Sequence, residues 1–408
     1  MHVLIVGAGQ AGGRAAEALR AVDPSCAITL IGDETHPPYE RPPLSKGVLT
    51  GAQAAETTYL NPAAFYDANR IDLRLGLTVT EIDRSGHSVR LSDGGTLGYD
   101  ALLLTTGARA RRLTLPGAEG PNVYHLRDID DSLALARTLG PGKRLAIIGA
   151  GFIGLEVAAA ARERQTDVIV IEVGGKPLGR VVPPELGTWF AELHRGHGVD
   201  LRLNTSVVAI EAAGARSVTL RLGDGSTVTA DALAVGIGSI PNAELAAAAG
   251  LAVDDGIVVD EFGRTSDPAI FAAGDVTRHW NPLLRRALRL EAWQNAQNQA
   301  IAVARGIAAL EAGTALPHAE IPWFWSDQYT VNLQTAGHFE PTGRTIWRGD
   351  PAGTAFTVFY VSGDRLTGAS TINQGRDMRP IRKRLSEDRP IDPQLLADMT
   401  VKLADCLR

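Results

Sequence analysis

Cysteine is almost absent from this 408-residue chain, with Cys26 and Cys406 its only two. They stand near opposite ends and form no C-x-x-C pair or metal-ligand spacing, which excludes a disulfide framework, a zinc site and a chain-borne iron–sulfur cluster. Long apolar runs are lacking too: no stretch reaches the roughly 18 residues of a membrane-spanning helix. The opening "MHVLIVGAGQ" enters a strand directly, without a basic segment or a small-residue cleavage site, and predicts a cytoplasmic protein. Positive charge is in deficit, with 40 Lys and Arg against 46 Asp and Glu and a net charge of -6. That balance excludes an extended nucleic-acid surface, while leaving room for a local basic patch facing an acidic partner. The nine histidines form no H-E-x-x-H cluster and are expected at the surface or in turns. What remains is an ordinary globular composition, 45% hydrophobic and 21% charged, at a length that predicts two to three domains.

Glycine carries the positive signal. In "VLIVGAGQAGGRAAEALR", Gly7, Gly9 and Gly12 make G-x-G-x-x-G between an apolar run and a stretch of helical spacing. Such a turn needs backbone freedom, close approach of a pyrophosphate and tight helix–strand packing, and glycine meets all three needs. The helix N-terminus adds unpaired N–H groups for the phosphates. The next strand, "CAITLIGDE", ends at Asp33, about 20 residues downstream, where an acid can accept from a ribose hydroxyl. The whole pattern recurs in "LAIIGAGFIGLEVAAAARERQTDVIVIE", with Gly149, Gly151, Gly154 and the terminal acid Glu172. Two complete copies predict two dinucleotides, and the natural pair is a flavin and a nicotinamide. Glu172 favours NADH, because a carboxylate accepts from a free 2'-hydroxyl and repels a 2'-phosphate. Lys176 and Arg180, close behind, leave some NADPH use open.

"ALLLTTGARAR" (101–111) and "ALAVGIGSIPN" (232–242) are apolar runs ending in glycine turns, read as crossover strands that bound an inserted domain. The expected division is a discontinuous FAD domain over 1–112 and 240–316, an NADH domain over 113–239 and a C-terminal domain over 317–408. In "TSDPAIFAAGDVTR" a strand ends at Gly274 and Asp275, where an acid can meet a flavin ribityl hydroxyl. From residue 317 onward, alternating apolar and aromatic strands with Gly-Asp turns and the helical "RDMRPIRKRLSE" predict an antiparallel sheet with helices. Tryptophans gather there and just before it; for Trp293 and Trp325, core packing and flavin shielding both stand open, and for Trp323 and Trp347 packing is expected.

"LIGDETHPPYERPPLSK", "IIGAGFIGLEVAAAA", "DGIVVDEFGRTSDPAIFAAGDV" and "IPWFWSDQY" together resemble the FAD-dependent ferredoxin reductases of bacterial oxygenase systems, in the right order and over essentially the whole chain. The resemblance implies an α/β fold of two Rossmann-like dinucleotide-binding domains, glutathione-reductase-like, plus an α+β C-terminal domain. It also implies FAD held by Gly7, Gly9, Ala11, Gly12, Asp33, Arg41, Lys46, Val79, Arg127, Asp275 and Trp293. The NADH side would use Gly149, Gly151, Phe152, Ile153, Gly154, Glu156, Glu172 and Gly238, with Glu291 near the nicotinamide. Lys46 and Glu156 would meet beside the flavin, the lysine stabilising the reduced ring and the carboxylate compensating its charge.

Electron counting sets the expected role. NADH delivers two electrons as a hydride, an iron–sulfur partner takes one at a time, and a flavin can accept the pair and release single electrons. No nucleophile and no acid–base triad is expected. Disulfide reductases of this fold need a cysteine pair at the flavin, and this chain offers none; Cys26 is read as a small buried hydrophobe. The expected activity is NADH-dependent reduction of a [2Fe-2S] ferredoxin serving a Rieske oxygenase or a cytochrome P450. Rubredoxin reduction, NADH oxidation by oxygen or quinone, and a redox-sensing binding role are the rivals. Two basic clusters, Arg285, Arg286 and Arg289, then Arg376, Arg379, Arg382, Lys383 and Arg384, are candidate steering surfaces for an acidic ferredoxin.

Overall fold

Alternation along the apolar strands decides the architecture. In the first parallel sheet, Val3, Ile5, Leu30 and Leu103 enter one core while Leu4, Val6, Ile31, Leu102 and Leu104 enter another on the opposite face. A sheet buried on both faces is the parallel, helix-covered kind. A computed structural model shows it so, and describes residues 1–212, 217–310, 313–340, 343–387 and 389–407.

The chain divides into two compact units. The first comprises Met1–Arg41, Glu56–Arg109 and Ile240–Pro322; the second comprises Pro42–Ala55, Ala110–Ser239 and Trp323–Arg408. In the first unit the strand order is Ile270–Ala272, Ala101–Leu104, His2–Val6, Ala27–Ile31 and Ile71–Arg74, all parallel. The helix Gln10–Val22 follows the first glycine turn. Its alanines Ala11, Ala15 and Ala16 share a core with Ala296, Ala300 and Ala304 of the helix Trp293–Ala308.

The second unit repeats the plan with strands Asp200–Arg202, Asp167–Ile171, Arg144–Ile148, Ala232–Val235 and Val123–Tyr124, again all parallel. Ala101–Leu104 and Ala232–Val235, expected as crossover strands, are each the strand paired to the one that enters the glycine turn. The same unit holds a five-stranded antiparallel sheet in the order Trp323–Gln328, Val331–Gly337, Arg365–Ile372, Phe356–Ser362 and Arg344–Arg348. Its Leu333, Phe356, Val358 and Tyr360 pack in one core with Leu145, Ile147, Leu155 and Phe190. Among the described residues no helix is long and apolar enough to cross a membrane.

The glycines divide by what a side chain there would strike. Gly7 and Gly149 sit at φ +112° and +103°, and a Cβ would lie 2.2 Å from the Thr105 carbonyl oxygen and 2.4 Å from that of Gly236. At Gly12 and Gly154 a Cβ would come within 2.0 Å of the carbonyl oxygens of Gly7 and Gly149. These four close the turn against the strand. Gly9 and Gly151 differ: a Cβ at Gly151 would meet nothing within 4 Å, and one at Gly9 only the Arg41 guanidinium at 3.9 Å.

The contrast gives a stability test. Gly154→Ala should lose roughly 1–3 kcal/mol through overpacking, read as a lowered unfolding midpoint. Gly151→Ala, at φ -79° and ψ -175°, should stay within about 0.5 kcal/mol of the parent yet lose NADH affinity, measured by titration. Equal destabilisation by the two substitutions would contradict this division.

Candidate functional site

In the first unit, the space above the glycine turn is framed by charge. The helix Gln10–Val22 begins at Gly9 with no side-chain cap, so its first N–H groups are left for a ligand. Arg41 stands at this turn. Its Nη2 donates to Glu34 Oε1 at 2.6 Å and its Nη1 to the Tyr39 hydroxyl at 2.8 Å, while that hydroxyl donates to Glu34 Oε2 at 2.6 Å. Burial works against the guanidinium's charge, but Tyr39, Glu34 and Asp275 outweigh it and hold the proton more firmly than usual. Gly274, at φ +85°, donates its N–H to Gln299 Oε1 at 2.9 Å, and its Cβ position lies 3.0 Å from Ala11. Gly7, Gly9, Ala11, Gly12, Arg41 and Asp275 are thus gathered at one end of this sheet.

Gln10 supplies a further sign of a ligand. Its amide is buried, and neither its oxygen nor its nitrogen has a partner. An open cradle at Gly9, an uncapped helix start, a fixed cation and an orphaned amide together fit the pyrophosphate and adjoining groups of a dinucleotide such as FAD. Asp33 is exposed, one residue beyond the position equivalent to Glu172: Ile31 pairs with Val6 as Ile171 pairs with Ile148, so the residue after each strand is Gly32 or Glu172. A side chain at Gly32 would collide with Ala8 at 2.5 Å. The carboxylate bonded to the turn's arginine is instead Glu34. Val79 is buried in its strand, Trp293 begins its helix, and Glu291 is ion-paired to Arg289.

In the second unit the second cradle is built alike. The helix Phe152–Glu163 begins at Gly151 without a side-chain cap. Glu172 takes the Ala150 N–H at 2.7 Å on one oxygen and the Gly174 N–H at 2.7 Å on the other. A carboxylate has about four acceptor sites, so two stay available for ribose hydroxyls. Ile153 is exposed on the first turn, Phe152 lies against Phe324 at 4.3 Å, and Gly238 sits at φ +104° with only Arg180 near its Cβ position, at 4.0 Å. Lys176 is drawn away, donating to Thr188 Oγ1 at 2.7 Å. These residues fit an NAD-type dinucleotide. Arg127 lies in this unit just before the helix Ile129–Ala136, its N–H donating to Asp131.

The structure brings Lys46 and Glu156 together. Lys46 Nζ lies 2.7 Å from Glu156 Oε2, with the Glu156 side chain at 2% exposure and that of Lys46 at 21%. Ser45 Oγ donates to the same oxygen at 2.5 Å, and Ser326 Oγ to the other at 2.6 Å. A buried carboxylate needs this completeness, since each unmet lone pair in a dry site costs free energy. Ser45 and Ser326 escaped sequence reasoning, although "ERPPLSK" and "WFWSDQ" contain them; so did Gln10, Glu34 and Tyr39.

Three expectations are corrected. Arg384 is not a surface residue: it is 3% exposed, and its Nη2 donates to the carbonyls of Arg389, at 2.7 Å, and Pro390, tying down the chain after its helix. Arg289 is half-buried and engaged by Asp255 and Glu291. Arg285, Arg286 and Lys383 are exposed, and Arg382 stacks over Trp323 at 5.7 Å. His194, His279 and His318 are buried, not superficial, and burial brings each down to about 4. Both thiols are buried, with Cys26 pushed up by burial and Cys406 donating to the Leu395 carbonyl at 3.1 Å. Among the described residues no group of three His, Cys, Asp or Glu side chains could hold a metal.

Known proteins match this arrangement along its length. A family model described as pyridine nucleotide-disulphide oxidoreductase matches residues 1–300, and one described as reductase C-terminal matches 323–407. The ferredoxin–NAD(+) reductase component of the anthranilate 1,2-dioxygenase system of Burkholderia cepacia is 46% identical over 98% of both chains. Putidaredoxin reductase of Pseudomonas putida is 41% identical over 100% of this chain and 96% of its own. A crystal structure of the covalent putidaredoxin reductase–putidaredoxin complex superposes with a TM-score of 0.95 at 39% identity, covering 100% of this chain and 98% of that one. The chain therefore belongs to the pyridine nucleotide-disulphide oxidoreductase family, among the FAD-dependent NADH:ferredoxin reductases of bacterial oxygenase systems.

Proposed function

We propose that this protein takes hydride from NADH onto FAD and passes the electrons singly to a [2Fe-2S] ferredoxin that serves a Rieske oxygenase or a cytochrome P450. The observation that carries the reading is the coexistence of two open glycine cradles with two thiols that are both locked into packing. Bound FAD supplies the conversion of a two-electron hydride into single electrons. With no thiol placed to receive them, the electrons leave directly for the carrier.

In this reading residues 1–112 and 240–316 carry FAD, 113–239 carry NADH and 317–408 form the C-terminal domain, in a cytoplasmic enzyme. Arg41 and the N–H groups above Gly9 bind the FAD pyrophosphate, with Asp275 toward the ribityl chain and Asp33, Val79, Arg127 and Trp293 completing the contacts. Gly149, Gly151 and Gly154 receive the NADH pyrophosphate, Glu172 selects the free 2'-hydroxyl, and Phe152, Ile153, Gly238 and Glu291 line the remainder. Glu156 holds Lys46 as the cation that favours the reduced ring. Because the carboxylate is already bound to its lysine, it meets the nicotinamide side without adding an uncompensated charge.

NADH-dependent cytochrome c reduction by the purified protein tests this, with a panel of [2Fe-2S] ferredoxins, a rubredoxin and an NADPH control. Strong stimulation by a [2Fe-2S] ferredoxin is expected. Brisk NADH consumption with oxygen or quinone and no stimulation by any carrier would assign an oxidase instead. As docking residues we propose Arg382 and Lys383 of the second unit and, separately, Arg285 and Arg286 of the first. Lys383→Glu with Arg382→Glu should raise the ferredoxin KM several-fold at low salt and leave FAD reduction by NADH intact. Arg384→Glu should instead lower thermal stability, measured by the unfolding midpoint.

A further inference from the structure

Glu156 is the end of a longer buried line. Ser326 Oγ, which donates to it, receives the Gln328 Nε2 at 3.0 Å; Gln328 Oε1 meets His194 Nε2 at 2.8 Å; and His194 Nδ1 meets the Tyr329 hydroxyl at 3.1 Å. Ser326, Gln328 and His194 are at 1%, 1% and 0% exposure.

Donor arithmetic fixes the direction of every bond. A carboxylate only accepts, so the single Ser326 proton is committed to Glu156 and its lone pairs must take an amide N–H. Gln328 then presents its oxygen to His194, which must carry its proton on Nε2, leaving Nδ1 to accept from Tyr329. The ring is neutral near pH 7, because burial brings it down to about 4. All four donors therefore point toward Glu156. The line does not suit proton conduction, since a primary amide stands in the middle and does not exchange protons as a hydroxyl does. It suits fixed dipoles aimed at one charge.

Tyr329 shows that the far end is held at a cost. It sits in the two-residue turn between the strands Trp323–Gln328 and Val331–Gly337, at φ +56°. A non-glycine residue is disfavoured there, and persists where its surroundings compensate. Its ring stacks on His197 at 3.6 Å and 9°, while its hydroxyl reaches His194.

We propose that His194, backed by Tyr329, is a positioning residue that keeps Gln328 and Ser326 in the single orientation that directs their donors at Glu156, and so sets the carboxylate against Lys46. The inference rests on the reading of Lys46 and Glu156 as the charged pair that acts on the flavin. A role in core packing alone would be met by any residue of similar volume, and this separates the two explanations.

The test uses the FAD-loaded enzyme and two readouts. Nitrogen-15 NMR of the histidine rings should show His194 as the Nε2–H tautomer, without titration between pH 8 and 5.5. In anaerobic stopped flow, His194→Phe should slow FAD reduction by NADH roughly ten- to a hundredfold, leave the NADH dissociation constant unchanged and move the flavin potential to more negative values. His194→Gln, which restores the N–H toward Gln328, should recover the rate to within about threefold. An Nδ1–H tautomer would overturn the proposal, as would a His194→Phe enzyme with parental rate and potential while Glu156→Gln is slow. If Glu156→Gln and His194→Phe both match the parent, the reading of the charged pair fails, and this inference with it. Should His194→Phe not fold, Tyr329→Phe takes its place, with a smaller loss of rate in the same direction expected and an unchanged rate counting against the proposal.

Discussion

The ion pair between Lys46 and Glu156 is the constraint around which the second unit is arranged. A carboxylate at 2% exposure has lost most of its hydration, and the loss is offset only if every lone pair finds a donor. Two segments distant from Glu156 in sequence supply the donors: Ser45 and Lys46 from the stretch after the Arg-Pro-Pro motif, and Ser326 from the first strand of the antiparallel sheet. Removing any one leaves a buried charge short of a partner. Such pairs are weak contributors to net stability, so their retention is better explained by the chemistry they hold ready.

The glycine turns impose a second constraint. In each parallel sheet the strand, turn and helix are so close that two of three glycines are required by backbone contacts inside the protein, at 2.0 to 2.4 Å from a notional Cβ. Only at the middle glycine would a Cβ enter open space. The motif is therefore mostly a packing device that also leaves helix N–H groups uncapped. The charged groups that differ between the two turns stand outside the motif, at Arg41 with Glu34 in one unit and Glu172 in the other.

Much of this was legible because it is local. Alternating apolar strands, the two glycine turns, Glu172 at its strand end and the antiparallel C-terminal sheet all follow from periodicity and short-range spacing. The pairing of Lys46 with Glu156 came from family resemblance, since no spacing rule links residues so far apart. Ser326 lies 170 positions from the carboxylate it serves, and neither serine carries a local signal. Arg384 misled for the opposite reason: a basic run on a helix looks solvated, yet the helix period turns one of its residues inward, where carbonyls of the chain beyond the helix need a donor. The histidines misled likewise, because isolated His residues look alike in sequence whether a neighbour such as Gln328 satisfies them or water does. Asp33 was placed by counting to the strand end; the strand ends at Ile31, and Gly32, close against Ala8, occupies the next position.

In the proposed function two electrons enter together and leave one at a time, with no thiol between. Its most direct test is an anaerobic titration in which limiting NADH is added to catalytic enzyme and excess oxidised [2Fe-2S] ferredoxin, with the iron–sulfur absorbance followed to completion. Two ferredoxins should be reduced per NADH, unchanged after both cysteines are replaced by alanine in a folded variant. NADH oxidised with the ferredoxin left oxidised, or a ferredoxin yield lost with the cysteines, would contradict it.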